Sequence, residues 1–222
     1  MKSSWKRELF GLTVLAVMAV VAIHYYPLLP DPMPSHFNLQ GKIDGWMGKT
    51  SFFLMMAGVL VLPYLLITFL PFIDPLRKKI EPRFKVLLFL RDVLLVFFSA
   101  IFFLNFRAAF EGRLPADLSG IAIGLLLIIV SNYMPKLPQN WFIGIRTPWT
   151  LSSEIIWRKS HILGGWLFTL SGIIYVVCTL LKTSTVIPIS SIIFAAVLSG
   201  FIYPFYLYKR NEKPDSVEHH DS

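Results

Sequence analysis

The stretch Asn132–Leu151, reading NYMPKLPQNWFIGIRTPWTL, gathers the residue types of this chain that suit recognition chemistry. Pro135, Pro138 and Pro148 stiffen it, while Trp141, Phe142, Trp149 and the nearby Trp157 supply rings that settle at a membrane–water interface. Gly144 permits a tight backbone just before Arg146, the cation of the Arg146-Thr147-Pro148-Trp149 run. A guanidinium fork there can hold a lipid phosphate, fold back on loop carbonyls or the Glu154 carboxylate, or meet an acidic partner. Asn132 and Asn140 suit turn or interhelix hydrogen bonds first and recognition second. Pro148 fits a first helical turn, Thr150 or Ser152 fits its cap, and Glu154 suits the dipole and lies four residues before Arg158. A short interfacial helix over residues 150–160 is expected, turning into a longer one at His161–Gly165.

Two other places hold polar chemistry. The stretch Pro34–Lys49, PSHFNLQGKIDGWMGK, combines His36, Asn38, Gly41, Asp44, Gly45, Trp46 and Lys49. Its glycines indicate turns, and Trp46 suits an anchor at the bilayer surface. His36 and Asp44 alone, without helical or CxxC spacing, make a poor metal site. The adjacent Arg91 and Asp92 lie within an apolar run. Charges inside a membrane are costly and mark functional sites or internal ion pairs. From the sequence, Arg91 is expected to reach back to the headgroups and Asp92 to face the interior or pair locally. Of the common catalytic signatures, HExxH, GxSxG, a phosphate-binding glycine loop and CxxC are all missing, and no catalytic residue or cofactor is assigned.

The elements that position these residues are hydrophobic. The 222 residues are 55% hydrophobic and 15% charged, with a mean hydropathy of +0.62, against about 25% charge in soluble domains. Six runs, Leu9–Leu29, Ser51–Phe72, Phe84–Phe106, Leu118–Met134, His161–Leu181 and Val186–Tyr208, approach the ~20 residues that cross a 30 Å hydrocarbon core. They lack the alternation of barrel strands. The expected fold is all-α: a polytopic six-transmembrane-helix bundle. The segments on the side of the N-terminus carry fifteen of the 21 Lys and Arg, and the opposite segments five. The positive-inside rule then puts both termini in the cytoplasm. The net charge of +8 follows from this bias and gives no reason for direct nucleic-acid binding.

The run at Leu9 is too long for a signal-peptide core and is read as a retained helix. Residues 1–73 form an N-terminal two-helix module with an extracellular loop at 30–50. Residues 84–208 form a four-helix module with a cytoplasmic loop at 135–160. Residues 209–222 are polar and read as a disordered tail, with His219 and His220 too isolated for a metal. Gly120 and Gly124, Gly165 with Thr169 and Gly172, and the Ala195–Gly200 small residues predict close helix packing, within the chain before between chains. Pro63 and Pro204 favour kinks. Cys178 is the only cysteine and reads as a packing thiol.

The stretch Asn132–Leu151, continued through SSEIIWRKSHILGG, resembles the signature of the SdpI family of bacterial membrane immunity proteins. PSHFNLQGKIDGWMGK resembles the small N-terminal domain often fused to it. The resemblance implies a multi-pass cell-membrane protein that protects against a secreted toxin peptide. It further implies a possible second role, as a receptor that holds a cytoplasmic transcriptional repressor at the membrane. On that reading Asn140, Trp141, Gly144, Arg146, Thr147, Pro148, Trp149, Glu154 and Trp157 meet the cytoplasmic partner. The toxin meets His36, Asn38, Gly41, Asp44, Gly45, Trp46 and Lys49. A small-molecule transporter or channel is the alternative, with Arg91, Asp92, Asn105 and Asn132 as the intramembrane residues that qualify to line its polar pathway.

Overall fold

A computed structural model describes residues 5–38 and 41–211. Residues 212–222, including most of the polar tail and both of its histidines, lie outside the described residues. Among the described residues, six helical segments are long and apolar enough to cross a membrane. They are Glu8–Tyr25, Lys49–Ile73, Arg77–Glu111, Ala116–Lys136, Glu154–Leu180 and Val186–Arg210. The first lies in helix α1 (Trp5–Tyr25) and the second is α2 (Lys49–Ile73), which runs unbroken through Pro63. The third joins the short α3 (Arg77–Ile80), a 3-10 turn and α4 (Phe84–Glu111). The fourth is α5 (Ala116–Tyr133) with a 3-10 turn at Met134–Lys136. The short α6 (Pro148–Ser152) precedes α7 (Glu154–Leu180), and α8 (Val186–Val197) continues into α9 (Tyr203–Asn211). A π-turn at Leu198–Ile202 joins those two just before Pro204. A proline lacks the N–H that would continue the ladder, and a π-turn is one way a helix absorbs this.

The sequence reads the stretch after α1 as a loop, and here the structure adds a β-hairpin. Strand β1 (Met33–Phe37) pairs antiparallel with β2 (Ile43–Met47), with irregular register around His36. Burial explains the pairing. Met33 is fully enclosed among Met18 of α1, Phe52 and Met56 of α2, and Phe102 and Phe106 of α4. Hydrogen bonding to β2 satisfies backbone groups that this burial takes from water. The hairpin loop also reaches the α4–α5 connection: Leu114 N–H donates to Gly41 O at 3.0 Å, and Lys42 bridges to Arg113.

The first core therefore joins α1, β1, α2 and α4. A second core gathers Ile80, Phe84, Leu87, Leu90, Leu137 and Trp157, from α3, α4, the α5–α6 connection and α7. Because α4 contributes to both, the boundary between 1–73 and 84–208 falls between helices that share a core. Helices α5 and α7 meet at their glycines. A Cβ on Gly124 would lie 2.8 Å from Gly172 O, and one on Gly172 would lie 2.7 Å from Gly124 O. In lipid, where apolar surface gives no preference for helix over solvent, such backbone contact supplies the attraction. The GxxxG glycines are thus used within the chain.

Candidate functional site

Six alternating spans put α3, the α5–α6 connection, α6 and the start of α7 at one end of the bundle, and the hairpin at the other. At the first end the segment 137–153 is held by side-chain hydrogen bonds rather than by regular structure. Asn140 is the hub. Its Oδ1 accepts from the N–H groups of Phe142 (2.9 Å) and Ile143 (2.7 Å), and its Nδ2 donates to Pro138 O (2.9 Å) and Ile143 O (2.8 Å). Both amide hydrogens and both carbonyl lone pairs are used, which is the full capacity of the group. Gln139 donates to the carbonyls of Thr150 (3.0 Å) and Leu151 (2.9 Å), and accepts from Lys79 Nζ (2.9 Å). Lys79 Nζ also reaches Glu154 Oε2 at 2.7 Å. Asp74, buried at the end of α2, accepts from Leu76 N–H and from Trp141 N–H.

His161 closes the segment from beneath. Its Nδ1–H donates to Trp157 O (2.8 Å), leaving Nε2 to accept the Ile145 N–H (3.0 Å). This defines a neutral tautomer. The imidazole stacks on Trp157 with centroids 4.1 Å apart, and the indole Nε1–H donates to Leu137 O at 3.0 Å. Gly144 passes directly over this pair with φ +114°, and a Cβ there would lie 2.5 Å from His161 Nε2. Both the backbone angle and the space exclude a side chain. Gly144→Val is therefore expected to displace the loop and lower stability by about 1–3 kcal/mol. Thermal unfolding in detergent, combined with proteolytic susceptibility of residues 141–147, measures it.

Several sequence expectations change here. Trp157 is 2% exposed and Asn140 1%, so both frame the segment from inside and neither meets a partner directly. Thr147, also buried, is the N-cap of α6 in a reciprocal box to which Thr150 contributes its hydroxyl, and Ser153 caps α7; Ser152 supplies no cap. The single helix expected over 150–160 is two helices broken at Ser153, because its extended backbone ends one and starts the other. Glu154 bonds Lys79 of α3 instead of Arg146. What faces outward is Trp141, 50% exposed, beside Arg146, whose Nη1 donates to Trp141 O at 2.9 Å. Exposed Gly144, Pro148 and Glu154 extend this surface, and half-buried Trp149 packs its ring against Phe205 of α9.

At the opposite end, His36 Nδ1 and Asp44 Oδ1 lie 2.5 Å apart across the hairpin. Asn38 Oδ1 accepts from Lys42 N–H, and Gly41 takes φ +74°. Gly45 is not in a turn but in β2, where a Cβ would meet His36 Cβ at 2.8 Å. Lys49 ties the hairpin to α1 by donating Nζ to Leu29 O (3.1 Å) and its backbone N–H to Asp31 Oδ1 (3.0 Å). Trp46 is exposed.

Residues 136–207, which include the loop segment, α6, α7 and α8, match the SdpI/YfhL protein family. Residues 13–61 match a domain of unknown function, DUF1648, and this region contains the hairpin. The chain is also 23% identical over 209 residues to Immunity protein SdpI of Bacillus subtilis (strain 168), covering 92% of this chain and 97% of that protein. Residues 136–207 are thus similar to the SdpI/YfhL family, and the chain as a whole is similar to Immunity protein SdpI. It is a multi-pass protein of a bacterial cell membrane. No solved structure matches it significantly.

Residues outside both matched segments form a buried ion network. Arg91 is 0% exposed and does not reach toward headgroups as its sequence position suggests. Its Nη1 donates to Glu8 Oε2 of α1 (2.6 Å) and Thr68 Oγ1 of α2 (2.8 Å). Its Nε and Nη2 both reach Asp92 Oδ1 at 2.9 Å. Tyr64 adds a hydroxyl bond to Glu8 (3.0 Å) and places its ring 4.6 Å from the guanidinium carbon. Sequence reading identifies Arg91 and Asp92 but not Glu8, Tyr64 or Thr68, which come from two other helices. The sixteen residues from Arg91 to Arg107 rise about 24 Å. With Arg107 at the opposite boundary, the network sits near one edge of the hydrocarbon layer rather than at its centre. Asn105 and Asn132 spend their side chains on Ile101 O and Ile128 O in their own helices.

Proposed function

We propose that this protein is an SdpI-like immunity protein that protects its cell from a secreted toxin peptide. The observation that carries the proposal is the similarity to Immunity protein SdpI along nearly the whole of both chains. The matched family segment is also the one that builds the side-chain-locked surface around Trp141 and Arg146. Recognition without catalysis fits a site made of structural hydrogen bonds, an exposed indole and an exposed guanidinium. The transporter reading gains no support from the intramembrane polar groups: Arg91 and Asp92 close on neighbouring side chains, and Asn105 and Asn132 on their own helices.

The excess of basic residues at the Trp141 end supports a cytoplasmic position for it, with the hairpin end outside. The hairpin surface, with His36, Asn38, Asp44, Trp46 and Lys49, is then where the peptide arrives. The Trp141–Arg146 surface is where a cytoplasmic repressor would dock. Helix α4 touches both ends, so a peptide that binds one arrangement of α4 better than another shifts the far surface by that difference in affinity.

Expression in a toxin-sensitive bacterium, followed by challenge with the family's toxin peptide, tests the proposal. Survival above the empty-vector control is expected. Equal killing with and without the protein, at verified membrane levels, rejects it. Arg146→Ala is expected to change stability by no more than about 0.5 kcal/mol, as an exposed substitution, yet to abolish peptide-dependent recovery of a soluble partner at the membrane. Unchanged partner recovery removes Arg146 from the docking surface.

A further inference from the structure

We infer that the groove between α4 and α5, bordered by Phe10 of α1, binds one anionic phospholipid, with an acyl chain in the groove and the phosphate on Lys85 and Lys136. The groove encloses about 510 Å³. Its α4 wall runs from Phe89 to Ala100, and its α5 wall from Ala122 to Ile129. The eleven helical steps from Phe89 to Ala100 rise about 16 Å, which matches one leaflet's share, about 15 Å, of a 30 Å hydrocarbon core. The groove therefore matches an acyl chain in length, and its lining is apolar apart from Asp92.

Charge sets the direction of the lipid. Asp92 is the only ionisable lining residue, and two of the Arg91 nitrogens hold its Oδ1. The wall below the headgroup level is otherwise apolar. Toward the nearer membrane edge, Phe89 stacks on Tyr133 at 4.3 Å, and Lys136 Nζ lies 4.3 Å from the Tyr133 ring centroid. Arg83 Nη1 donates to Lys136 O at 3.3 Å, which secures that turn beside the start of α4. Lys85 is exposed and lies one turn before Phe89 on the same helical face. Two exposed ammonium groups thus stand over the end of an apolar groove, the arrangement complementary to a phosphodiester with acyl chains below it. The location, between α4 and α5, is separate from both recognition surfaces.

Native mass spectrometry of the full-length protein in mild detergent, titrated with phosphatidylglycerol or phosphatidylcholine of identical chains, tests this. The expected result is retention of one phosphatidylglycerol in preference to phosphatidylcholine. Lys85→Ala with Lys136→Ala should weaken phosphatidylglycerol binding roughly thirtyfold, at about five- to sixfold per surface cation, and leave phosphatidylcholine binding unchanged. Ala122→Phe, filling the groove, should reduce retention of both lipids, and Ala100→Phe on the opposite wall gives the same readout should either variant unfold. Equal retention of both lipids by the wild type overturns the assignment. So does unaltered preference in the lysine variant, unaltered occupancy in a folded groove-filling variant, or recovery of a peptide in place of lipid.

Discussion

Arg91→Ala is expected to destabilise the protein by about 3–5 kcal/mol, the usual result of removing one partner from a buried ion pair. The cause is the charge left behind. Glu8 and Asp92 both direct oxygens at the guanidinium, and without it two carboxylates face one another beside Thr68 and Tyr64. Loss of stability should appear as a lower melting temperature in detergent and less folded protein in the membrane. Arg91→Lys should recover little of it, because an ammonium cannot serve Glu8, Thr68 and Asp92 with one planar fork. Joint replacement of Glu8, Arg91 and Asp92 by Gln, Met and Asn should recover much of the loss, since no unpaired charge then remains buried. A wild-type melting temperature for Arg91→Ala would show that the network does not hold α1, α2 and α4 together.

Trp157→Ala is expected to cost about 3–5 kcal/mol, the range for truncating a large buried ring, and to release the segment 137–145. The indole fills the second core, donates to Leu137 O and stacks under His161, which in turn holds Ile145 N–H. Its removal therefore empties a cavity and frees both ends of residues 137–145. Trp157→Phe keeps most of the volume and loses the indole hydrogen bond, for about 1–3 kcal/mol. Protease cleavage within residues 137–147 should follow the order alanine, phenylalanine, wild type. Equal resistance in all three would mean that the segment keeps its shape without Trp157.

Six membrane helices are legible in the sequence because each apolar run satisfies its own backbone and needs no information from elsewhere in the chain. The importance of residues 132–165 is legible too, in the density of proline, tryptophan and glycine between two such runs. The close α5–α7 packing follows from glycine spacing for the same local reason. The division of labour within residues 132–165 is not. Trp141 and Trp157 are the same residue type, sixteen positions apart, yet one is exposed and the other buried. Only the arrival of α3 and α4 against α7 distinguishes them.

The hairpin shows the same limit. Its strands are five residues each, interrupted in register, and become worthwhile only when Met33 enters a core built from α1, α2 and α4. Glu8 is an ordinary acid near the start of an apolar run until α4 brings Arg91 within 2.6 Å of it. Local composition thus determined the number of spans, their alternation and the proline- and tryptophan-rich connection between α5 and α7. Tertiary structure alone decided which tryptophan points outward, which carboxylates neutralise Arg91, and where β-structure forms. The physical reason is that burial and charge pairing depend on neighbours distant in the chain, whereas helix formation in lipid depends on neighbours four residues away.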